Sequence, residues 1–409
     1  IIDHRRNRNI ATHLVYSIGS TTAATPPGSR DRVIVGFQDL GTRVRTEAVN
    51  NTYDYAIGGD GFGCLIHPYN GNLMLGSLYY TRVQRSTNGG TTFSQSVSGI
   101  TGFGSASDGG NAPFNTRLTN TLADPTGNRV YTFTNEVPYV SDNFGSTWTA
   151  LPTTGNGWPG GTIRCFGASN LKLGLVGATF DISEPIGGNN YRRGRVAISD
   201  NNGATWRTFT GFPGGLNSMA DIAFDTADPN IMYVSSVRQA IWNVAGSEGG
   251  LTANHLWKST DGGSTWTAID GSPTNSNGFP FGIPVHVVKV DLMDNNTVYA
   301  GTDVGLYRTT NQGLTWERFG EGLPMVAVRD IYIAPDSSFM RVGTHGRGVW
   351  EMQAGSIFDI DETAGVDVYD LLKFMSLYGS TAAEDLAVAD FNGDGKIDDV
   401  DLALILGAF

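Results

Sequence analysis

Apolar residues along most of this chain fall into short runs of about four to six, separated by clusters of Gly, Asn, Asp, Ser and Thr. The run Val285–Val290 is mostly apolar, 297–301 follows it, and 305–308 alternates. Runs of this length and spacing predict strands joined by tight turns. An eight-residue pattern supplies the turn and recurs five times. It reads Ser86-Thr-Asn-Gly-Gly-Thr-Thr-Phe93, Ser141-Asp-Asn-Phe-Gly-Ser-Thr-Trp148, Ser199-Asp-Asn-Asn-Gly-Ala-Thr-Trp206, Ser259-Thr-Asp-Gly-Gly-Ser-Thr-Trp266 and Thr309-Thr-Asn-Gln-Gly-Leu-Thr-Trp316. Successive copies start 55, 58, 60 and 50 residues apart.

The pattern has a physical reading as a hairpin. Asn88, Asn143, Asn201, Asp261 and Asn311 bond nearby backbone amides and hold the turn. Gly90, Gly145, Gly203, Gly263 and Gly313 supply positive φ. A Thr starts the return strand, and Phe93 or Trp buries a ring between layers. Three strands before the turn and one after it make one propeller blade per repeat. Residues 13–18, 32–37, 42–46 and 53–57 offer a blade before the first copy. Residues 328–333, 339–343 and 348–352 offer another after the last. The expectation is an all-β body, a seven-bladed β-propeller over residues 1–355, with six blades the alternative if 1–56 is an extension. An N-terminal strand pairing with the last blade would close the ring and remove a free sheet edge.

The five turns resemble the Asp-box repeat of bacterial neuraminidases, which in that family is a folding element on blade margins, usually away from substrate. The closing Gly343-Thr-His-Gly-Arg-Gly-Val-Trp350 is similar to the last blade of sialidase-like and xyloglucanase-like propellers. Gly36-Phe-Gln-Asp-Leu-Gly-Thr42 and Gly58-Gly-Asp-Gly-Phe62 resemble the middle of long secreted glycosyl-hydrolase-like proteins, which suggests that a portion precedes Ile1. These likenesses imply a secreted or cell-surface protein, bacterial in type, that meets polysaccharide or another glycan.

Composition adds a second region. Gly supplies 55 of 409 residues and charged residues only 16%, which suits strands and turns. Net charge is −12, but residues 356–409 hold 12 acidic residues and two Lys, so the body is nearly neutral. That balance argues against nucleic acid as a partner. No run of 18 apolar residues suggests a membrane-spanning helix. Cys64 and Cys165 lie on innermost strands of blades separated by a third, so they are expected to stay unbonded.

The acidic tail reads as calcium loops. Asp390, Asn392, Asp394, Asp398 and Asp401 stand at loop positions 1, 3, 5, 9 and 12, and Lys396 gives its carbonyl at position 7. Gly395 takes the sharp turn, and Ile397 is expected to make a short β contact with a partner loop. A second copy begins 31 residues earlier with Asp359, Asp361, Thr363, Asp367 and Asp370, where Thr363 is a weak ligand and Ala364 replaces the turn Gly. Helices are expected to follow over 368–378 and 400–409, with Leu371, Leu372, Met375 and Tyr378 on one stripe and Leu402, Ile405, Leu406 and Phe409 on the other. Two half EF-hands of this kind resemble a type I dockerin over residues 357–409. The resemblance implies one or two Ca2+ ions and attachment to a cohesin-like or other scaffold protein; an intramolecular stabilising domain is the alternative.

On the propeller, Arg117, Arg164 and Arg329 stand near the starts of innermost strands, with Asp221 and His286 in comparable places. There they would line a channel mouth. Three inward guanidinium groups can grip a carboxylate bidentately; the alternative is that they solvate the channel or pair with Asp221 and Asp330. Glycoside hydrolysis generally needs two carboxylates flanking one bond, and Asp39, Asp60, Glu136, Asp221 and Asp303 are the candidates, with no motif selecting a pair. The early Arg-Ile-Pro motif of sialidases is missing. His345 and Arg347 in the Gly-rich closing turn read as structural. Two function classes follow: a tethered carbohydrate-binding or interaction propeller, and a glycoside hydrolase (sialidase-like or xyloglucanase-like) or its rear part.

Overall fold

Seven antiparallel sheets follow one another along the chain, six of four strands and one of three. The coordinates are a computed structural model that describes residues 12–22, 32–46, 52–105, 107–186, 189–212, 218–237, 254–352, 354, 358, 360 and 368–407. Blade 1 holds β1 (Val15–Ser20), β2 (Val33–Phe37), β3 (Gly41–Arg45) and β4 (Asp54–Ile57). Blade 2 holds β5 (Cys64–His67), β6 (Asn70–Leu78), β7 (Arg82–Ser86) and β8 (Ser94–Gln95). Blade 3 holds β9 (Thr119–Asn120), β10 (Val130–Phe133), β11 (Pro138–Ser141) and β12 (Thr149–Ala150). Blade 4 holds β13 (Thr162–Ala168), β14 (Val176–Ile186), β15 (Asn189–Ser199) and β16 (Arg207–Phe209). Blade 5 holds β17 (Met219–Phe224), β18 (Met232–Ser236), β19 (Leu256–Ser259) and β20 (Thr267–Ala268). Blade 6 holds β21 (Val285–Val290), β22 (Val298–Thr302), β23 (Gly305–Thr309) and β24 (Glu317–Phe319). Blade 7 holds β25 (Val328–Ile333), β26 (Met340–Thr344) and β27 (Gly348–Met352).

Within each blade the strands pair in chain order, so the connections alternate between the two ends of the ring. Inner strands start at one end, the mouth end. The turns between second and third strands and the links between blades also lie there. The turns between third and fourth strands, which carry the eight-residue pattern, lie at the opposite end.

All five of those turns share one hydrogen-bond scheme. The first hydroxyl donates to the Asn or Asp side chain two residues on, as Ser141 does to Asn143 at 2.9 Å. It also accepts from the glycine amide four residues on, 2.8 Å in the case of Gly145. The Asn143 side chain then accepts from the Thr147 amide at 2.9 Å. The fifth residue is left-handed in every copy, with φ from +74° at Gly145 to +95° at Gly313, which explains the glycine. The following Trp seals the joint between blades. Trp206 packs with Leu151, Phe166 and Phe180, its indole N–H reaches the Pro152 carbonyl at 3.3 Å, and a Cβ on Gly157 would lie 2.2 Å from its carbonyl oxygen.

The ring closes between blade 7 and blade 1 by packing of inner strands. Val15 and Ile18 lie against Gly343, and Asp330 accepts from the Ile18 amide at 2.8 Å. The expected pairing of an N-terminal strand with the last blade is limited, among the described residues, to a single bridge between Leu14 and His345. Residues 1–11 lie outside the described ones.

Beyond Met352 the described elements are helical: α1 (Val368–Leu377), α2 (Ala383–Ala389) and α3 (Asp399–Leu406). Phe358, Ile360, Phe374, Ala389, Ile397 and Ile405 form their core. The α1 stripe expected from sequence is corrected here. Phe374 is buried, whereas Leu372 is 60% and Met375 49% exposed, and on α3 Ile405 is buried while Leu406 is exposed. Two apolar stripes at helical spacing overlap on α1, and the one carrying the large Phe374 ring faces inward. Helix α2 was not expected. The Ile397 amide donates to the Ser380 carbonyl and its carbonyl accepts from the Gly379 amide, in the segment after α1; most of the loop expected to face it, residues 361–367, lies outside the described residues.

Candidate functional site at the channel mouth

Inner strands carry a repeated irregularity at the mouth. The register shifts at Tyr16, Arg164, Ala220, His286 and Arg329, the second residue of its strand in four cases and the third in β13. A bulge adds one residue and re-aims a side chain, so five blades turn the same position at the ring axis. Four of the five are large and polar or aromatic.

Arg329 and His286 meet: the Arg329 guanidinium lies 3.0 Å from Nδ1 of His286, and Nε2 lies 2.6 Å from Asp303. A guanidinium only donates, so Nδ1 accepts and the Nε2 hydrogen points at Asp303. Burial lowers the His286 pKa; Asp303 opposes this and Arg329 adds to it. His345, at the β26–β27 turn, is lowered by burial and then by Arg329 and His286. The Tyr16 ring lies 5.6 Å from that of His345, and its hydroxyl donates to Gln38 at 3.0 Å. Burial raises the Tyr16 pKa. Two buried nitrogens here, Nε of Arg329 and Nε2 of His345, have no hydrogen-bond partner among the described residues. An unmatched buried donor or acceptor is costly, and a ligand or water would satisfy it. Aromatic rings extend the site sideways: Phe62 lies 4.8 Å from Tyr16, and the half-exposed Phe114 5.3 Å from Phe62.

The five residues expected at the mouth do not form one cluster. His286 and Arg329 touch. Arg117 donates to the Ala220 carbonyl at 3.0 Å and lies 3.9 Å from Asp221. Arg164 pairs with Asp181 on its own blade at 2.6 Å. The three guanidinium groups therefore do not converge on a single carboxylate; two hold acidic partners. Asp221 also accepts from the Val288 amide at 3.1 Å and from the Cys165 thiol at 3.1 Å. Burial pushes that thiol up to about 12. Cys64 and Cys165 are both free and buried.

Of the candidate carboxylates, Asp39, Asp60, Glu136 and Asp303 all lie in mouth-end connections. Asp60 accepts from the Asp39 amide at 2.6 Å, and Asn111 donates to Glu136 at 3.4 Å. Sequence reasoning missed Tyr16; the repeated start of the inner strand was the available signal.

In the tail, the 390–401 loop is folded on its own amides. Asp390 accepts from the amides of Gly393, Asp394 and Gly395, and Asp401 from those of Phe391, Asn392 and Asp398. Gly395 is left-handed at φ +87°. Among the described residues no three acidic, His or Cys side chains converge at metal-binding range. Asp370 is buried on α1. Asp359, Asp361, Thr363 and Asp367 lie outside the described residues. No described helix is long and apolar enough to cross a membrane.

No family model matches the chain. A xyloglucanase of Hypocrea jecorina is 27% identical over 215 residues, covering 43% of this chain and 24% of that protein. The chain thus spans about a quarter of the curated relative it matches. Among solved structures, the GH74 xyloglucanase of Xanthomonas campestris superimposes with a TM-score of 0.55 at 16% identity, over 85% of this chain and 53% of that one. YCF48 of Cyanidioschyzon merolae gives 0.52 at 13% over 83% and 95%, and hydrazine synthase of Kuenenia stuttgartiensis 0.58 at 12% over 84% and 96%. At these identities the solved structures establish the propeller fold alone.

Proposed function

We propose that the chain is a secreted glycan-binding propeller that receives a polysaccharide chain at its mouth end and is tethered through its tail. The observation that carries this is the pair of unmatched buried nitrogens, on Arg329 and His345, beside the Tyr16–Phe62–Phe114 rings. Sugars offer hydroxyl oxygens to the nitrogens and an apolar face to the half-exposed Phe114 ring, which the buried Phe62 backs. The likeness to a xyloglucanase supports a plant-type glucan as the first polymer to test. The test is a glycan array with the intact chain. Binding to no glycan, or binding that survives Arg329→Ala unchanged, contradicts the reading.

A second reading, a glycoside hydrolase or its rear part, is favoured by the gathering of Asp39, Asp60, Glu136 and Asp303 at that same end. Release of reducing sugar from xyloglucan, absent in Asp303→Asn, would decide for it.

The tail, 356–409, acts in this reading as a dockerin-like unit separate from the 1–355 body. Support comes from its own apolar core and from the wound loop followed directly by α3. Asp390, Asn392, Asp394, Asp398, Asp401 and the Lys396 carbonyl would hold calcium, trading amide contacts for the ion. Val368, Tyr369, Leu372 and Met375 on α1 stay exposed and offer a face to a cohesin-like scaffold protein. Chelator is expected to abolish the helical signal of the tail in the full chain and leave the β signal intact. A helical signal indifferent to chelator would remove calcium from the account.

A further inference from the structure

Beside the mouth, on the same end of the ring, lies a shallow recess of about 340 Å3 between blades 1 and 2. This is at the lower end of the range for small-molecule sites, about 300–1,000 Å3. Its walls are Tyr55 from β4 and Tyr79 from the β6–β7 turn; Asp39, Asp60 and Arg43 supply the polar groups. Tyr55 is 64% exposed, yet it is held in place, with the Arg43 guanidinium 5.5 Å from its ring centre. Tyr79 is braced from behind by Phe114, parallel within 4° at 5.8 Å, and by Arg82 at 5.2 Å.

Glycines keep the floor bare. A Cβ at Gly58 would meet the Tyr55 hydroxyl at 2.4 Å, and one at Gly59 would meet the Tyr79 ring at 3.3 Å. The backbone around the recess is also unusual. Asp39, Tyr80 and Thr81 are left-handed at φ +60°, +63° and +57° without being glycine, a conformation unfavourable for such residues. The Tyr80–Thr81 turn is pinned by Pro113 and Thr116, which fixes where Tyr79 stands. One oxygen of Asp60 holds the Asp39 amide. Its other oxygen and the Asp39 carboxylate have no protein partner among the described residues.

We propose that this recess binds one neutral pyranose unit of a glycan chain. The sugar's apolar face stacks on Tyr55 and Tyr79. Its hydroxyls donate to Asp39 and Asp60, in charge-assisted bonds that are shorter and stronger than neutral ones, and one accepts from Arg43. Two carboxylates against one guanidinium disfavour uronic acids, which are anionic. The proposal rests on the reading of this end as glycan-facing, but the recess is separate from the Arg329–His286 contact.

The experiment is calorimetry on the full chain with three probes: a soluble xyloglucan oligosaccharide, cellohexaose and a galacturonate oligomer. Tyr55→Ala is expected to weaken binding of a neutral probe about tenfold, as loss of a stacking anchor does. Tyr55→Phe keeps it. Asp39→Asn, which tolerates the left-handed backbone, is expected to cost several-fold. Melting temperatures should match the parent, because Tyr55 and the Asp39 side chain are exposed. If the parent binds a neutral probe and Tyr55→Ala and Asp39→Asn bind it equally well, while Arg329→Ala does not, the recess is not a site and the mouth reading stands. If the galacturonate oligomer binds as tightly as the neutral probes, the ligand class is wrong. If no probe binds the parent, both readings fall.

Discussion

The two ends of the ring solve opposite problems with similar residues. At the turn end, Ser, Asn and Thr bond one another within eight residues, and the scheme repeats in five blades with distances that differ by about 0.2 Å. At the mouth end, polar groups from different blades face the axis. Arg329 meets His286 of the neighbouring blade, and two nitrogens there stay unmatched. A turn that satisfies itself serves folding. On the proposed reading, a mouth with unmatched groups serves recognition.

The contrast can be broken most sharply by comparing Trp206→Ala with Arg329→Ala. Trp206 is 6% exposed and seals a blade joint, so its loss should destabilise by about 3–5 kcal/mol in urea unfolding. The folded fraction should still bind glycan. Arg329→Ala should do the reverse, with a much smaller stability loss and at least about tenfold weaker binding. If both variants lose stability equally, the mouth is part of the framework.

A smaller effect is expected with pH. His286 and His345 have pKa values below the unfolded value of about 6.5. A depressed His binds fewer protons when folded, so its contribution is present above about pH 6.5 and is lost as pH falls through the folded values. Buried Asp270, Asp291 and Asp330 have raised pKa values and act with opposite sign, losing stability as pH rises from about 4. His286→Gln should therefore flatten the fall in melting temperature between pH 7.5 and 5 relative to the parent. An unchanged slope would show that His286 charges freely in the fold.

At the turn end, Ser141→Ala removes the hydroxyl that accepts from the Asn143 and Gly145 amides and should cost about 1–2 kcal/mol. Asp261→Asn should be the mildest change, since the other four turns carry Asn at that position. Hydrogen bonds from Thr265 hold the Asp261 carboxyl down at about 2. Its contribution is thus lost only as pH falls from about 4 through 2, and the Asn variant should differ from the parent only there. A clear loss of stability at neutral pH would mean that the charge matters beyond the turn.

The turn end was legible because its chemistry is local. Position, residue type and φ requirement all sit within eight residues, so five copies fixed the blade period and, with the two box-less blades, the count. The mouth was legible only in outline. Arg117, Arg164, Asp221, His286 and Arg329 were placed near strand starts. Their partners depend on a one-residue bulge in five of the inner strands and on which blade stands next, and neither leaves a mark in the local pattern. Tyr16 was missed for that reason. In the tail, the loop spacing was readable, but the buried face of α1 was not, because Leu372 and Met375 compete with Phe374 at the same helical period.

The most direct measurement is a histidine-ring NMR titration of the full chain with soluble xyloglucan oligosaccharide. His286 and His345 mark the mouth. His67 marks the turn end, where its ring lies 4.9 Å from Phe144 of a patterned turn. Glycan binding at the mouth predicts shifts of the His286 and His345 signals at concentrations that leave His67 unmoved. Movement of His67 alone, or of none of the three at saturating glycan, would contradict it.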